Sequence, residues 1–311
     1  MTDIVVTYLN ERNIKWQDDF NYWKNKEIQE GIQTPDNRQA FGEERIREWD
    51  TFKYWFRGIE KCCSWVNKVV LVVQNKNHIP EWLDTSNPKL KVVYHEDFIP
   101  SELLPTFNAL TIGMYFYNIK DLGEQFIVCD DDYYFINPVK EDMFFKGGKP
   151  ILLDNKMGVY APYALGGSDY IFFKALNNNL EFEEKYMKEK VKYGFSHLPE
   201  GRLKSFGKQI LDENDEEIKK HNGISKFRHG DNLTPDMFID LLKICDKAVF
   251  GNPYTNSSYC CLKSTVDFDN YFNKDMVCFN DTEALDDYEK TKEKLIDFFE
   301  RKFPEKSNFE K

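Results

Sequence analysis

Several common sequence signatures are missing from this chain of 311 residues. It has no apolar run long enough to cross a bilayer and no secretory signal peptide at its start. Its 42 Lys and Arg residues against 53 Asp and Glu residues give a formal net charge of −11. An acidic balance of this kind does not favour electrostatic binding to nucleic acid. These absences predict a soluble, intracellular protein with no nucleic-acid partner.

The seven cysteines lack the spacing of a disulfide framework or a structural zinc site. None of them forms a C-x-x-C motif, and two pairs are directly adjacent in sequence. We therefore predict that most are buried small apolar residues in a reducing compartment. Cys129 stands beside an acidic run, but no histidine lies near it in sequence, so a role as nucleophile is the weaker interpretation.

A glycine-rich phosphate loop is also absent, since neither G-x-G-x-x-G nor a Walker-type loop occurs. What the chain has is three consecutive acids, Asp130, Asp131 and Asp132, directly after an apolar segment at 125–128. In open α/β sheets, ligands bind at the carboxyl edge where such a strand ends. Crowded carboxylates repel one another, and a divalent cation would stabilise their ionised form. An acidic turn on a solvated loop is the alternative, and spacing alone does not separate the two.

Apolar strand-like segments alternate with helical patterns in the first half of the chain. The clearest strands are predicted at 3–9, 68–73, 91–95 and 125–128, with a helix at 106–117. This alternation predicts an α/β fold whose mainly parallel, Rossmann-like sheet is flanked by helices. Acids at a strand end without a glycine-rich loop are typical of the GT-A-like sheet of nucleotide-sugar transferases.

The second half is less regular and predicts a helical insertion. A late strand at 275–279 runs into a second polar pair, Asn280 and Asp281, and a final helix at 284–303 precedes a frayed tail after Pro304. We expect one catalytic domain over 1–311. Its parts are a nucleotide-sugar-binding α/β half at 1–150, a more helical part on the acceptor and phosphate side at 151–270, and a closing strand and helix at 271–311.

Four separated segments together resemble the Stealth family of sugar-phosphate transferases, which includes bacterial capsular polysaccharide phosphotransferases. The opening segment 3–10 resembles the family's first block, usually written D-[IV]-V-Y-T-W-V-D. The longest match, at about 50–139, contains Arg57-Gly58-Ile59-Glu60-Lys61 and, near its end, the acidic run. The later blocks are carried by His197-Leu198-Pro199, Lys204, Lys226-Phe227-Arg228-His229 and Cys278-Phe279-Asn280-Asp281. Two positions depart from the family pattern: Asn10 replaces the usual Asp, and Asp130 stands where Asn is frequent.

The resemblance implies transfer of a sugar-1-phosphate from a UDP-sugar donor to a hydroxyl of an oligosaccharide or polysaccharide acceptor. UMP would be released and a phosphodiester formed, in capsule or cell-wall synthesis. The implied cofactor is Mg²⁺ or Mn²⁺, with Asp131, Asp132, Asn280 and Asp281 as its ligands. The implied catalytic residues are His197 as general base, since imidazole titrates near neutral pH, Arg228 on the phosphate oxygens, and Asp131.

Seven further positions are predicted to bind substrate: Thr7, Asn10, Arg57, Gln74, Asn108, Lys204 and His229. Plainer alternatives stay open for many of these residues. Arg57 would pair with a core acid, Asn108 would cap a helix, and the pair Asn280-Asp281 would form a turn before the last helix. A lone surface position is the alternative for His197, and a surface salt bridge is the alternative for Arg228.

Two other functions fit the same residues. One is a metal-dependent GT-A-type glycosyltransferase that releases UDP, and the other is a non-catalytic carbohydrate- or nucleotide-binding relative, which Asn10 favours. The identity of the released nucleotide, UMP or UDP, distinguishes the sugar-1-phosphate transferase from the glycosyltransferase. For a polysaccharide enzyme we expect a cytoplasmic location at the inner face of the plasma membrane, with peripheral association through other enzymes of the same synthesis.

Overall fold

The computed structural model describes residues 1–157, 170–189, 191–194 and 197–311. In chain order its strands are β1 (Thr2–Thr7), β2 (Val66–Val73), β3 (Leu90–Tyr94), β4 (Gln125–Val128), β5 (Tyr133–Phe135), β6 (Phe145–Lys146), β7 (Lys149–Leu152), β8 (Lys156–Met157), β9 (Lys192–Tyr193), β10 (Glu200–Leu203), β11 (Val249–Phe250), β12 (Ser257–Cys261) and β13 (Met276–Asn280). Its helices are α1 (Ile14–Gln29), α2 (Arg38–Phe41), α3 (Phe52–Cys62), α4 (Ala109–Met114), α5 (Ile171–Glu183), α6 (Lys204–Glu213), α7 (Asp215–Asn222), α8 (Asp236–Ile244) and α9 (Tyr288–Lys302).

The largest sheet has five strands in the order β10-β4-β1-β2-β3. Its first four strands in sequence are mutually parallel, and β10 joins β4 as an antiparallel edge strand. This arrangement confirms the predicted α/β fold with a mainly parallel sheet, and the order β3-β2-β1-β4 is consistent with a Rossmann-like sheet. The strand order reverses between β1 and β4. In such sheets, ligands bind at the carboxyl ends of the strands beside that reversal.

Strand β2, which the sequence shows as an unbroken apolar run, is buried on both faces of the sheet. Alternate side chains of a strand point to opposite faces of the sheet. Val69, Leu71 and Val73 pack on one face in a cluster that includes side chains of α3 and α9. Val70 and Val72 pack on the other face with side chains of α4 and α8. A strand buried on both faces reads as a continuous hydrophobic run, as the sequence shows here.

A second, three-stranded sheet joins the end of the chain to the acidic run. Its order is β12-β13-β5, with β13 antiparallel to β5 and Cys278 opposite Tyr133. The backbone N–H of Phe279 donates to the carbonyl oxygen of Asp132 at 2.8 Å. Because β5 follows the acids directly, this pairing carries the polar end of β13 to the carboxyl end of β4.

The expected fraying of the tail after Pro304 is wrong. Phe309 is buried in the main core, and Glu310 forms a β-bridge with Leu83. The carboxylate of Glu310 accepts hydrogen bonds from Nε and Nη2 of Arg57, both at 2.8 Å. A bidentate pair of this kind is among the stronger polar contacts in proteins, so it fixes the end of the chain against α3.

The second half contains the expected helices, α5 to α8, together with strands that join other parts of the chain. Strand β10 belongs to the main sheet, and β11 pairs with β7. Helix α8 begins at Asp236, with Oγ1 of Thr234 accepting from its backbone N–H at 3.3 Å. Across the described residues, no helix has both the length and the apolar character that crossing a membrane requires.

Candidate active site

The acidic run lies in the turn between β4 and β5, at the reversal of the strand order. Two neighbouring cavities open there. The larger, of about 570 Å³, is lined by Asp130, and the smaller, of about 140 Å³, by Asp131 and Asp132. Arg45, Asn280 and other residues near them line both cavities. The acids therefore stand between two compartments of one cleft.

Asp132 is the centre of a cluster built from three distant parts of the chain. Nε2 of His197 lies 3.8 Å from Oδ1 of Asp132, and Nδ1 of the same ring lies 3.8 Å from Oδ2 of Asp130. The Cys278 thiol donates to Oδ2 of Asp132 at 3.4 Å. One ligand atom each from Asp132, His197 and Cys278 lies within 4.8 Å of the others.

Charge is concentrated in this cluster. Partial desolvation in the cleft, together with the charges of Asp132 and Asp130, raises the pKa of Asp131 well above its ordinary value. Burial opposes protonation of His197, but the adjacent carboxylates of Asp132 and Asp130 outweigh it and raise the pKa of His197 to about 9. The imidazole thus serves as a cationic partner of the acids until another positive charge replaces it.

The residues present fit a divalent cation at Asp132. Oδ1 of Asp132 is buried and accepts no hydrogen bond from the described residues. Carboxylate oxygens are common ligands of divalent cations, and the thiol of Cys278 adds a softer one. Asp131 stands next to this position and adds a second carboxyl group beside it.

The predicted metal contribution of Asp281 needs correction. Nη1 of Arg47 donates to both of its carboxylate oxygens, at 2.8 and 2.7 Å, and Nε1 of Trp49 donates to one at 3.2 Å. An acid already paired in this way is a poor ligand for a metal ion. Asn280 lines both cavities, and its side-chain amide donates to the hydroxyl of Tyr259.

Two arginines, Arg45 and Arg228, face the larger cavity, and neither forms an ion pair with a described residue. Arg45 ends a short 3₁₀ turn after α2, and Arg228 precedes α8 in a loop. Neither guanidinium forms a hydrogen bond or ion pair with the described residues, and both line the cavity. Burial and then the charge of Arg45 lower the pKa of Arg228 to about 10. Two neighbouring guanidinium groups without an acceptor among the described residues form a site suited to an anion such as a phosphate group.

The comparisons with known proteins agree with the resemblance seen in the sequence. A model of conserved region 2 of Stealth proteins matches residues 45–151. A capsular polysaccharide phosphotransferase WcwK of Streptococcus pneumoniae is 30% identical, over 99% of this chain and 98% of the relative. The chain belongs to the Stealth family. A receptor polysaccharide phosphotransferase WefC of Streptococcus gordonii is 27% identical over the same shares, and a capsular polysaccharide phosphotransferase CpsJ of Streptococcus thermophilus is 44% identical over 39% of this chain.

In this Stealth protein the matched region supplies only part of the site. It contains Arg45 and the acidic run, whereas His197, Arg228 and Cys278 come from later segments. The structure brings these residues together around the cleft, and Thr7 at the end of β1 lines the larger cavity.

Several predicted substrate-binding residues lie elsewhere in the fold. Arg57 is buried against the C-terminal tail, where its guanidinium is used by Glu310 and by the carbonyl oxygen of Phe303. Lys204 begins α6 at the amino end of β4, because β10 runs antiparallel to that strand, and its backbone N–H donates to Glu124. Lys204 and the acids therefore lie at opposite ends of β4. The predicted role in donor binding is corrected for Arg57 and for Lys204.

Asn108 is a structural residue rather than a substrate ligand. It is fully buried, and its Oδ1 caps α4 by accepting from Leu110 N at 3.1 Å. Its side-chain amide donates to the carbonyl oxygen of Phe227 at 3.1 Å and to Oδ1 of Asn232 at 2.8 Å. Since Phe227 precedes Arg228, these hydrogen bonds join Asn108 to the segment that carries this arginine.

Three other predicted residues line neither cavity. Asn10 lies in the turn after β1, where its Oδ1 accepts from Arg12 N at 3.1 Å. Nδ1 of His229 accepts from Asp231 N at 3.2 Å. Gln74 follows β2, with its Oε1 buried and accepting no hydrogen bond from the described residues.

Sequence reasoning missed Arg45, Arg47 and Glu200. Arg45 and Arg47 stand in a charged stretch between two helices, which reads as an ordinary solvated segment. Glu200 directly follows His197-Leu198-Pro199, a segment that resembles the Stealth family, and this position could have indicated a place at the site. All three become notable only because the fold places them at the cleft.

Proposed function

We propose that this protein transfers a hexose-1-phosphate or N-acetylhexosamine-1-phosphate from a UDP-sugar to a hydroxyl of a glycan acceptor in capsule or cell-wall polysaccharide synthesis. The acceptor oxygen forms a new bond to the β-phosphorus. The bond from that phosphorus to the oxygen bridging the two phosphates breaks, and UMP leaves with the bridging oxygen. The acceptor's proton passes to a base. Relatives named as capsular polysaccharide phosphotransferases, aligned over nearly the whole chain, support this reaction.

The observation that carries the proposal is a pair of arginines beside the acids, Arg45 and Arg228, with which no described side chain forms an ion pair. A nucleotide diphosphate presents negative oxygens on two phosphorus atoms, and guanidinium groups bind such oxygens in a fixed, planar geometry. Arg45 and Arg228 would bind those oxygens from one side. A Mg²⁺ or Mn²⁺ ion at Asp132, with Asp131 beside it, would neutralise the acids and polarise the phosphate.

His197 is the proposed base, in contact with Asp132. Its pKa of about 9 reflects the uncompensated carboxylates around it. A cation held at Asp132 would offset the charge of those carboxylates, so the pKa of the imidazole would lie nearer its ordinary value. The ring can then accept the proton of the attacking hydroxyl near neutral pH.

The acceptor reaches His197 through the open mouth of the larger cavity. Tyr259 on β12 lies there with about half of its surface exposed, and its ring meets the imidazole edge-on with centroids 6.0 Å apart. A sugar whose hydroxyl points at His197 would lie against this exposed aromatic face. We propose that Tyr259 positions the acceptor sugar.

We also propose that the whole chain acts as one catalytic domain. Residues from Ile4 to Phe309 share one hydrophobic cluster, and strands pair across the expected boundaries at 150 and 271. We expect the reaction on the cytoplasmic side of the membrane, where nucleotide-activated sugars are made. We also propose that the main sheet is related to the GT-A-like sheet of nucleotide-sugar transferases.

The test is to identify the nucleotide released from a panel of UDP-hexoses by the purified protein, with Mg²⁺ or Mn²⁺ and oligosaccharide acceptors. We expect UMP, a product containing a phosphodiester, and loss of both with EDTA. Asp132→Asn, which keeps the size of the side chain, should reduce the rate at least 100-fold by removing a charged ligand. Asp212→Asn, at an exposed acid on α6, is the matched control and should keep full activity.

The other products would contradict the proposal in distinct ways. UDP with a glycosidic bond would identify a glycosyltransferase. Binding of UDP-sugars without turnover, unaffected by EDTA, would identify a non-catalytic relative.

A further inference from the structure

The larger cavity has an exposed mouth and a closed end. Tyr259 and Glu283 at the mouth are largely exposed, whereas Leu110, Phe116 and Glu200 at the other end are buried. Gly113 and Pro235 narrow the closed end. A Cβ at Gly113 would lie only 2.8 Å from Cγ of Pro235, so this close approach requires glycine.

Glu200 faces the closed end with a carboxyl group that no described residue binds. Only 5% of its surface is exposed, and the side chain forms no hydrogen bond or ion pair with the described part of the chain. The nearest charged groups include Lys243, Asp236 and Arg202. Lys243 donates to Asn155 and Asp240, and Arg202 donates to Pro235 and Tyr117.

An unpartnered polar group of this kind normally costs stability. Burial raises the pKa of Glu200 to about 8, so at neutral pH the group is largely a neutral carboxylic acid. A carboxylic acid both donates and accepts a hydrogen bond, as does a sugar hydroxyl. Asp236 lines the same end and adds a second acidic group, whose Oδ2 accepts from Oγ1 of Thr234 at 2.7 Å.

We propose that this closed end, between Glu200 on β10 and Asp236 at the start of α8, binds the hexose of the donor through its hydroxyl groups. The inference rests on the proposed function and names the part of the donor that the pocket selects. A closed pocket fits a terminal group, and the donor sugar is one. The acceptor is the end of a longer glycan, so the rest of that glycan must extend out through the mouth of the cavity. Leu110, Phe116 and Pro235 supply apolar surface for the ring.

The uracil base is also a terminal group, so the experiment must separate sugar from nucleotide. The affinities of UDP and of the four common UDP-hexoses (glucose, galactose and their N-acetylamino forms) are measured by calorimetry for each variant. In Glu200→Ala, we expect the best UDP-hexose to bind about 10-fold or more weakly, with UDP unchanged within two-fold. Glu200→Gln keeps a donor and an acceptor and should restore most of the affinity.

Glu183→Gln is the matched control, because Glu183 is an equally buried acid that does not line the cavity. It should leave both affinities unchanged. The melting temperature of Glu200→Ala should not fall, since the deleted group has no protein partner in the described chain.

Three results would overturn the inference. One is a Glu200→Ala variant that binds UDP-hexoses as the wild type does. Another is an equal loss for UDP and UDP-hexoses, which would place Glu200 at the nucleotide. If the wild type bound neither UDP nor any UDP-hexose, the proposed function itself would fail, and the sugar pocket with it.

Discussion

The thiol of Cys278 lies 3.4 Å from Oδ2 of Asp132, although 146 positions separate the two residues in sequence. The contact exists because β13 pairs with β5, the strand that leaves the acidic turn. It places a sulfur atom beside the carboxylate of Asp132 and the imidazole of His197. The composition of the site therefore depends on the end of the chain as much as on the acidic run.

Replacing this thiol should change the metal preference of the site. Thiolate ligands favour soft metals such as Cd²⁺, whereas Mg²⁺ prefers oxygen. We expect Cys278→Ser to weaken Cd²⁺ binding about 10-fold or more while leaving Mg²⁺-dependent turnover within a few-fold. Calorimetry with CdCl₂ measures the first effect. Cys261→Ser, at an exposed thiol, is the control, and equal Cd²⁺ affinities in all three proteins would exclude Cys278 as a ligand.

Arg45 and Arg228 should oppose stability while supporting binding. Each charge lies near the other without a protein acceptor in the described chain, so Arg228→Gln should raise the melting temperature slightly. The same change should weaken UDP binding about 10- to 100-fold, since a hydrogen bond to a charged group contributes roughly 1.5–3 kcal/mol. Arg301→Gln, at an exposed pair on α9, should alter neither. Unchanged UDP affinity in both Arg45→Gln and Arg228→Gln would show that these arginines do not form an anion site.

Asn108 should affect the reaction through Arg228. Asn108→Ala leaves the backbone carbonyl of Phe227 and the side chain of Asn232 without their shared donor. We expect a loss of about 1–3 kcal/mol in the free energy of unfolding, measured by urea titration. UDP affinity should fall in the same variant. In the Arg228→Gln background the effect of Asn108→Ala on UDP binding should disappear, and a persistent effect would indicate direct contact with the ligand.

The ion pair between Arg57 and Glu310 should contribute to the free energy of unfolding and to its decrease at low pH. Removing one partner of a buried pair typically costs about 3–5 kcal/mol, so Glu310→Ala should unfold at markedly lower urea concentration. Burial raises the pKa of Glu310, but the hydrogen bonds from Arg57 outweigh it and lower the pKa below the ordinary value of 4.5. The contribution is therefore present above pH 4.5 and is lost as the pH falls further. Glu310→Gln should show a smaller loss of stability below pH 4.5 than the wild type.

Tyr259 should act on the acceptor alone. Tyr259→Ala removes the exposed ring beside His197, and we expect the KM for the acceptor to rise several-fold while UDP affinity stays constant. Tyr259→Phe keeps the ring and loses only the contact with Asn280, so it should retain most of the acceptor affinity. A KM unchanged by Tyr259→Ala would place the acceptor elsewhere.

Local patterns predicted much of the fold and part of the candidate site. The apolar run of β2 and the acids after β4 were readable because strand periodicity and chain neighbours are local properties. The family resemblance added His197 and Arg228, which the structure places at the cleft. Arg57 and Lys204 also belong to matching segments, yet the fold places them away from it. A motif assigns a residue to a block of sequence, whereas its distance from the chemistry depends on packing.

The sequence by itself determined that strands alternate with helices, that acids follow a strand end, and that the chain resembles Stealth proteins. Only the tertiary structure decided that Asp281 is taken by Arg47, that Arg45 joins Arg228, and that Glu200 closes a pocket. The physical reason is that these relations join residues far apart in sequence. Their geometry follows from which strands pair and which faces bury their apolar side chains, and a linear pattern does not specify either.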